Sequence, residues 1–154
     1  MLHLSFIDIK KSATMIAEQV RASNYVPDYI IGITVGGLIP LALVAKELET
    51  QKVGTISASA YDGDARKGLT IHALPNIDLS NKSILLVDDI SDTGETLQEL
   101  SALLYEKYSV QEVKTATIVI RKDKDSYRPD FYAIESEEWT EFPWEKGVEK
   151  MRDI

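Results

Sequence analysis

Ser83 to Leu97 reads SILLVDDISDTGETL, and its polar residues stand in an order that suits chemistry. Asp88 and Asp89 follow an apolar run, and Ser91, Asp92, Thr93, Gly94, Glu95 and Thr96 follow them. Two adjacent carboxylates suit the hydroxyls of a sugar, a magnesium ion, or both. A loop that runs into a helix offers free backbone N–H groups and the positive end of the helix dipole, which together suit a phosphate. Gly94 lets the backbone approach an anion closely, and the hydroxyls of Ser91, Thr93 and Thr96 add donors. The plainer alternative is that Asp92 or Thr93 caps the helix and the aspartates are solvated at a strand end. A cap needs only one such residue, so the whole ordered string favours an anion and sugar site.

Regular elements must hold that string in place. Ser83–Val87 is almost wholly apolar and reads as a central parallel strand that delivers Asp88 and Asp89 to its carboxyl end. Thr96–Tyr108, with Leu97, Leu100, Leu103 and Leu104 on one face, reads as the helix that follows. Upstream, Ile9, Ala13, Ile16, Ala17 and Val20 predict an amphipathic helix capped at Asp8. Tyr29–Thr34 reads as a buried strand, Gly36-Gly37 as a turn, and Leu38–Leu48 as a helix packed on a sheet. Val53–Tyr61 reads as the next strand, and the DGDARKG segment from Asp62 to Gly68 as a solvated, mobile loop. Val113–Ile120 and Phe131–Glu135 complete the strands. Strands alternating with helices predict an α/β fold with a mainly parallel central sheet flanked by helices on both faces.

Composition narrows the class. The chain has 154 residues, 44% of them hydrophobic, which suits one globular domain spanning residues 1–154. Lys and Arg number 17 against 25 Asp and Glu, a net charge of −8, so broad binding to nucleic acid is disfavoured. With no cysteine there is no disulfide framework, thiolate metal site or cysteine nucleophile. The first residues do not read as a secretory signal, and a cytoplasmic location is expected. The apolar stretch Tyr29–Ala45 is too short for a spanning helix and is broken by Gly36, Gly37 and Pro40, so no membrane contact is expected. His3 and His72 show no partner in the sequence and read as structural or surface residues.

An acidic pair followed by an Asp-Thr-Gly loop resembles the fingerprint of type I phosphoribosyltransferases, and the resemblance extends from about Tyr29 to Glu145. Within that family it is similar to the short bacterial and archaeal xanthine-guanine and hypoxanthine-guanine enzymes. It implies a small hood built from terminal segments, a homodimer or homotetramer, and a Mg²⁺-dependent reaction. That reaction joins a purine base to 5-phosphoribosyl 1-pyrophosphate, giving the nucleoside 5′-monophosphate and pyrophosphate.

The resemblance also implies roles. Asp88 and Asp89 would hold the ribose hydroxyls and the metal, while Ser91 to Thr96, Glu95 included, would cradle the 5′-phosphate. Asp92 would accept the base's proton near N7, or hydrogen-bond to it. Thr34-Val35-Gly36-Gly37 would form the pyrophosphate loop, although many relatives carry Arg or Lys where Val35 stands. Ala60-Tyr61 stands where relatives have a Ser-Tyr pair at the root of a closing loop; Tyr61, Arg66 and Lys67 would then reach pyrophosphate, the alternative being a solvated loop with no part in chemistry. Arg121, with Lys122 beside it, falls where a lysine reads the purine's oxo group, and the two residue types are not equivalent. Trp139 would stack on the purine and Thr140 would offer backbone contacts; the alternative for Trp139 is a core or interface aromatic. Trp144 reads as structural. Glu95 stands where relatives often have Gly or Lys, and its carboxylate repels a bound phosphate unless it points away.

The expected function is transfer to a 6-oxopurine: guanine, xanthine or hypoxanthine. The alternatives are a non-catalytic regulator that keeps the phosphoribosyl pocket, or the same transfer to adenine or a pyrimidine.

Overall fold

The computed structural model describes residues 1–122 and 127–145. Eight strands and three α-helices follow in the order β1 (Leu2–His3), α1 (Phe6–Ala22), β2 (Tyr29–Thr34), α2 (Leu38–Glu47), β3 (Val53–Ala60), β4 (Leu69–Ala73), β5 (Ser83–Ser91), α3 (Glu95–Tyr108), β6 (Glu112–Arg121), β7 (Phe131–Ser136) and β8 (Thr140–Glu141) among the described residues. Six strands form one sheet in the order β4-β3-β2-β5-β6-β7, parallel throughout except for the β3–β4 pair. The α/β class and the mainly parallel sheet are as expected.

The sheet separates two apolar layers. On one face α1 and α2 bury Ile9, Ile16 and Val44 against Leu85 and Val87 of β5. On the other, α3 buries Leu97, Leu100 and Leu104 against Ile84 and Leu86. Successive residues of β5 thus serve opposite faces, as a strand covered on both sides requires. All four are fully buried, and burial of each such side chain contributes about 1.5–3 kcal/mol. That is enough to hold β5 in the centre of the sheet with a polar end.

Several expectations change in detail. Helix α1 begins at Phe6, not behind Asp8: Ser5 is its N-cap, and Asp8 is the third helical residue of a reciprocal capping box, accepting from the Ser5 N–H at 2.8 Å. Strand β5 does not stop at Val87; it pairs with β6 as far as Ser91, so Asp88 and Asp89 lie within the ladder. The DGDARKG segment is no plain loop, for two 3₁₀ turns occupy Tyr61–Gly63 and Ala65–Lys67. Those turns lead into β4, an antiparallel edge strand with a mostly exposed pattern that carries no apolar periodicity to read. The two short terminal strands, β1 and β8, pair in parallel as a separate small sheet, matching the expected hood. No described helix is long and apolar enough to cross a membrane.

Candidate active site

The strand order places the site. From β2 the chain moves outward to β3, then returns to β5 on the other side of β2. Connections that diverge from two adjacent parallel strands leave a crevice beyond their carboxyl ends, where ligands of open α/β sheets bind. Both glycine-bearing turns open there: β2 leads through Gly36-Gly37 into α2, and β5 leads through Gly94 into α3.

Glycine is required at these turns by close approach. A Cβ on Gly36 would lie 2.2 Å from Asp89 Oδ2, so the β2 turn sits directly against the acidic pair. Gly94 has φ +83° and would meet the Tyr127 carbonyl at 2.6 Å. Gly94 itself is the N-cap of α3, so the N-cap position falls on neither Asp92 nor Thr93. The Thr93 hydroxyl still accepts from the Glu95 N–H at 3.4 Å, a local turn bond just ahead of the helix. The first helical turn keeps N–H groups without intrahelical acceptors.

A cavity of about 540 Å³ opens over this turn, lined by Asp88, Asp89, Ser91, Asp92, Thr93, Gly94 and Thr96 together with Arg66. The Ser91 Oγ is buried there without a hydrogen-bond partner among the described residues. Asp88 and Asp89 are half-buried. Asp88 Oδ1 accepts from the Asp89 N–H at 2.8 Å, and Asp89 Oδ1 from the Ile90 N–H at 2.7 Å. Burial, followed by the neighbouring Asp89 charge, pushes the Asp88 carboxyl well above the usual range. Burial raises Asp89 too, against the hydrogen bonds it accepts, and the Glu145 charge adds to the rise.

Asp92 lies at the cavity's edge with its side chain 50% exposed, 3.9 Å from the Arg121 guanidinium. Arg121 is mostly buried and also donates through Nη2 to the Glu137 carbonyl at 3.4 Å, which ties it to the segment before β8. Lys122 points its backbone N–H at Ser136 and is exposed. Trp139 is 66% exposed, so it is not a core aromatic, and its carbonyl accepts from Leu2 in the small sheet. Thr140 is buried beside it. Trp144 stacks on Phe142 with centroids 4.8 Å apart, a structural contact as expected.

The remaining residues of the reading spread out. Thr34 is half-buried, and Val35, joined to it by a cis peptide bond, is exposed. Tyr61 and Lys67 are exposed, and Arg66 is held by Asp64 through Nε and Nη2 at 3.1 and 3.2 Å. Of the residues of the reading, Thr34, Val35, Gly36, Gly37, Tyr61, Lys67, Glu95, Arg121, Lys122, Trp139 and Thr140 do not line the cavity. Asp64 does, and sequence reasoning passed over it; the only signal was an Asp two residues before an Arg in a polar segment. His3 and His72 do have partners, Glu141 at 3.2 Å and Ser59 at 2.8 Å.

The profile of the phosphoribosyl transferase domain matches residues 6–150, nearly the whole chain and all of the crevice just described. The chain belongs to the phosphoribosyltransferase family. Its relatives include a xanthine-guanine phosphoribosyltransferase of Chromohalobacter salexigens, 36% identical over 77% of this chain and 69% of that one. Another, from Cereibacter sphaeroides, is 34% identical over 96% of this chain and 88% of the relative. Among solved structures, a purine phosphoribosyltransferase from Pyrococcus horikoshii superposes with a TM-score of 0.80 at 30% identity, covering 94% and 93% of the two chains. The family expectation drawn from the acidic pair and its loop is therefore met.

In this phosphoribosyltransferase the acidic pair should cost stability. Its raised carboxyls mean that the folded chain binds protons more readily than the unfolded one, so stability is lost as pH rises through their titration. Asp88→Asn is expected to raise the melting temperature by about 2–4 °C at pH 7.5. That gain should shrink as pH falls toward 4, where the parent carboxyls become neutral. Thermal melts of both proteins across that pH range check it.

Proposed function

We propose that this phosphoribosyltransferase transfers the 5-phosphoribosyl group from 5-phosphoribosyl 1-pyrophosphate to a 6-oxopurine, giving the nucleoside 5′-monophosphate and pyrophosphate. The observation that carries the base class is the Asp92–Arg121 pair at 3.9 Å, of which the carboxylate lines the cavity and the guanidinium stands behind it. It sets a carboxylate acceptor beside a guanidinium donor. A 6-oxopurine protonated at N7 offers the matching donor and acceptor on one edge, whereas a 6-aminopurine turns a donor toward a donor. The xanthine-guanine names of the relatives point the same way.

Ser91 to Thr96 hold the 5′-phosphate through the N–H groups of the turn and first helical residues, with the unpartnered Ser91 hydroxyl as a further donor. Asp88 and Asp89 take the ribose hydroxyls. Their placement also fits a divalent cation: two half-buried carboxylates line the one cavity, and no Lys or Arg among the described residues forms an ion pair with either. No described cluster of three or more ligating side chains exists, which suits magnesium bound by one or two carboxylates and completed by substrate oxygens. Bound there, Mg²⁺ would neutralise charge on the departing pyrophosphate.

Asp92 receives the proton released from the base as its bond to the ribose forms. Arg121 donates to the oxo group, Lys122 adds positive charge nearby, and the exposed Trp139 stacks on the ring, with Thr140 adjacent. Thr34, Val35 and Gly36 offer backbone N–H groups to pyrophosphate, since Val35 brings no charge of its own, and Gly37, whose N–H is held by the Ile33 carbonyl at 2.8 Å, keeps the turn tight behind them. Tyr61, Arg66 and Lys67 approach from the loop. The reading includes self-association as a homodimer or homotetramer.

Steady-state kinetics of two variants test the assignment. Asp92→Asn keeps the shape and removes the proton acceptor, so kcat is expected to fall about 10²- to 10⁴-fold with little change in KM for the donor. Unchanged turnover would take Asp92 out of the mechanism. Trp139→Ala should raise KM for the purine by roughly tenfold while sparing the donor, as the loss of one base–aromatic stack of about 1–3 kcal/mol requires. Equal weakening of both substrates would instead mark Trp139 as structural.

A further inference from the structure

The phosphate turn rests on a residue that does not line the cavity. On the side where other residues carry a Cβ, Gly94 faces Tyr127: a Cβ there would lie 2.6, 2.7 and 3.0 Å from the carbonyl oxygen, Cβ and Cδ1 of Tyr127. Backbone and ring of Tyr127 together form a floor under the turn, outside the cavity wall. Gly94, at φ +83°, is the N-cap of α3 and has no side chain to lock that left-handed conformation from within. Glycine has the most backbone freedom to lose, so a turn centred on it keeps one shape when its neighbours impose it.

Tyr127 is itself fixed in place. Its ring packs against the apolar layer that α3 shares with β5. Its hydroxyl lies 2.7 Å from Oγ1 of Thr115, a buried residue of β6 that pairs with Leu86 of β5. The Thr115 hydroxyl has one proton, directed at Asp130 Oδ2 at 3.3 Å, so the phenol is the donor of the 2.7 Å bond. Asp130 closes the group: it accepts the Thr115 N–H at 2.9 Å and donates its own N–H to Thr115 Oγ1 at 3.2 Å. The one donor and both lone pairs of the Thr115 hydroxyl are then used. Burial raises the phenol above its ordinary value, so it stays protonated and keeps its bond at neutral pH. Tyr127 and Asp130 belong to the connection from β6 to β7. Through Thr115 that connection is tied to the middle of the sheet, and through Tyr127 to the turn at the end of β5.

We propose that Tyr127 is a positioning residue for the phosphate turn, held by Thr115 and Asp130 so that the backbone around Gly94 is preset for a 5′-phosphate. The proposal rests on the reading of Ser91 to Thr96 as the phosphate cradle and names what keeps that cradle in shape. The anchor supplies preorganisation: a turn already in its bound shape loses less freedom when the anion arrives. Without it the same N–H donors remain, but ordering them becomes part of the cost of binding.

Isothermal titration of the full chain with ribose 5-phosphate, and separately with pyrophosphate and Mg²⁺, tests this without any base. Tyr127→Phe keeps the ring and removes the hydroxyl. Its affinity for ribose 5-phosphate should fall about three- to tenfold, the range that one hydrogen bond's net contribution allows, with pyrophosphate binding unchanged. Thr115→Val should do the same, whereas Thr115→Ser, which keeps the hydroxyl, should bind as the parent does. Combining Tyr127→Phe with Thr115→Val should lose no more than either alone. In the transfer assay Tyr127→Phe should raise donor KM and leave kcat unchanged. A merely structural bond would lower the melting temperature and leave ribose 5-phosphate affinity at the parent's value. That result, or equal weakening of both ligands, would overturn the proposal. A parent chain that binds ribose 5-phosphate in this Tyr127-dependent way yet transfers to no base would end the proposed function and leave Tyr127 in its role. A parent chain that binds no ribose 5-phosphate would remove the phosphate cradle, and the role of Tyr127 with it.

Discussion

A buried strand that ends in two carboxylates is the constraint on which the rest of this molecule turns. Ile84 to Val87 are covered on both faces, and that burial drags Asp88 and Asp89 out of water in the same ladder. Carboxylates taken out of water are unfavourable, and burial raises both, with the Asp89 charge adding to the rise at Asp88. A fold tolerates such a cost where a ligand's cation and hydroxyls will relieve it. The neighbouring parts are shaped around the pair: Gly36 is bare because Asp89 fills the space its Cβ would need, and the cavity opens directly above.

The second element of design is the divergence of connections on either side of β2 and β5. It brings two helix N-termini and two glycine turns to one crevice, on both flanks of the carboxylates. Arg121 at the end of β6 extends the same row of strand ends, so its pairing with Asp92 arises from parallel register and not from a dedicated domain.

Much of this was legible in the residues because the periodicities are strong. The apolar runs of β2, β5 and β6, and the leucine stripe of α3, read correctly because both sheet faces are covered. Strand β4 escaped because an exposed edge strand has no buried face to pattern it. The start of α1 is harder to read because the capping box uses Ser5 and Asp8 together, and Asp8 alone resembles an N-cap. Strand β5 was cut short at Val87 because carboxylates rarely continue a strand; here ladder pairing with β6 outweighs that preference. In the site, the string from Asp88 to Thr96 was readable as local sequence. Asp64 and the contact of Gly36 with Asp89 were not, since both depend on which loops the topology brings together.

The xanthine-guanine relatives point to a 6-oxopurine acceptor. The most direct measurement is nucleotide formation from 5-phosphoribosyl 1-pyrophosphate and Mg²⁺ with guanine, xanthine, hypoxanthine, adenine, orotate and uracil in separate reactions. Product is expected with at least one of the three 6-oxopurines and not with adenine, orotate or uracil. Mg²⁺-dependent binding of the donor with no product from any base would contradict transfer and leave a phosphoribosyl-binding regulator in its place.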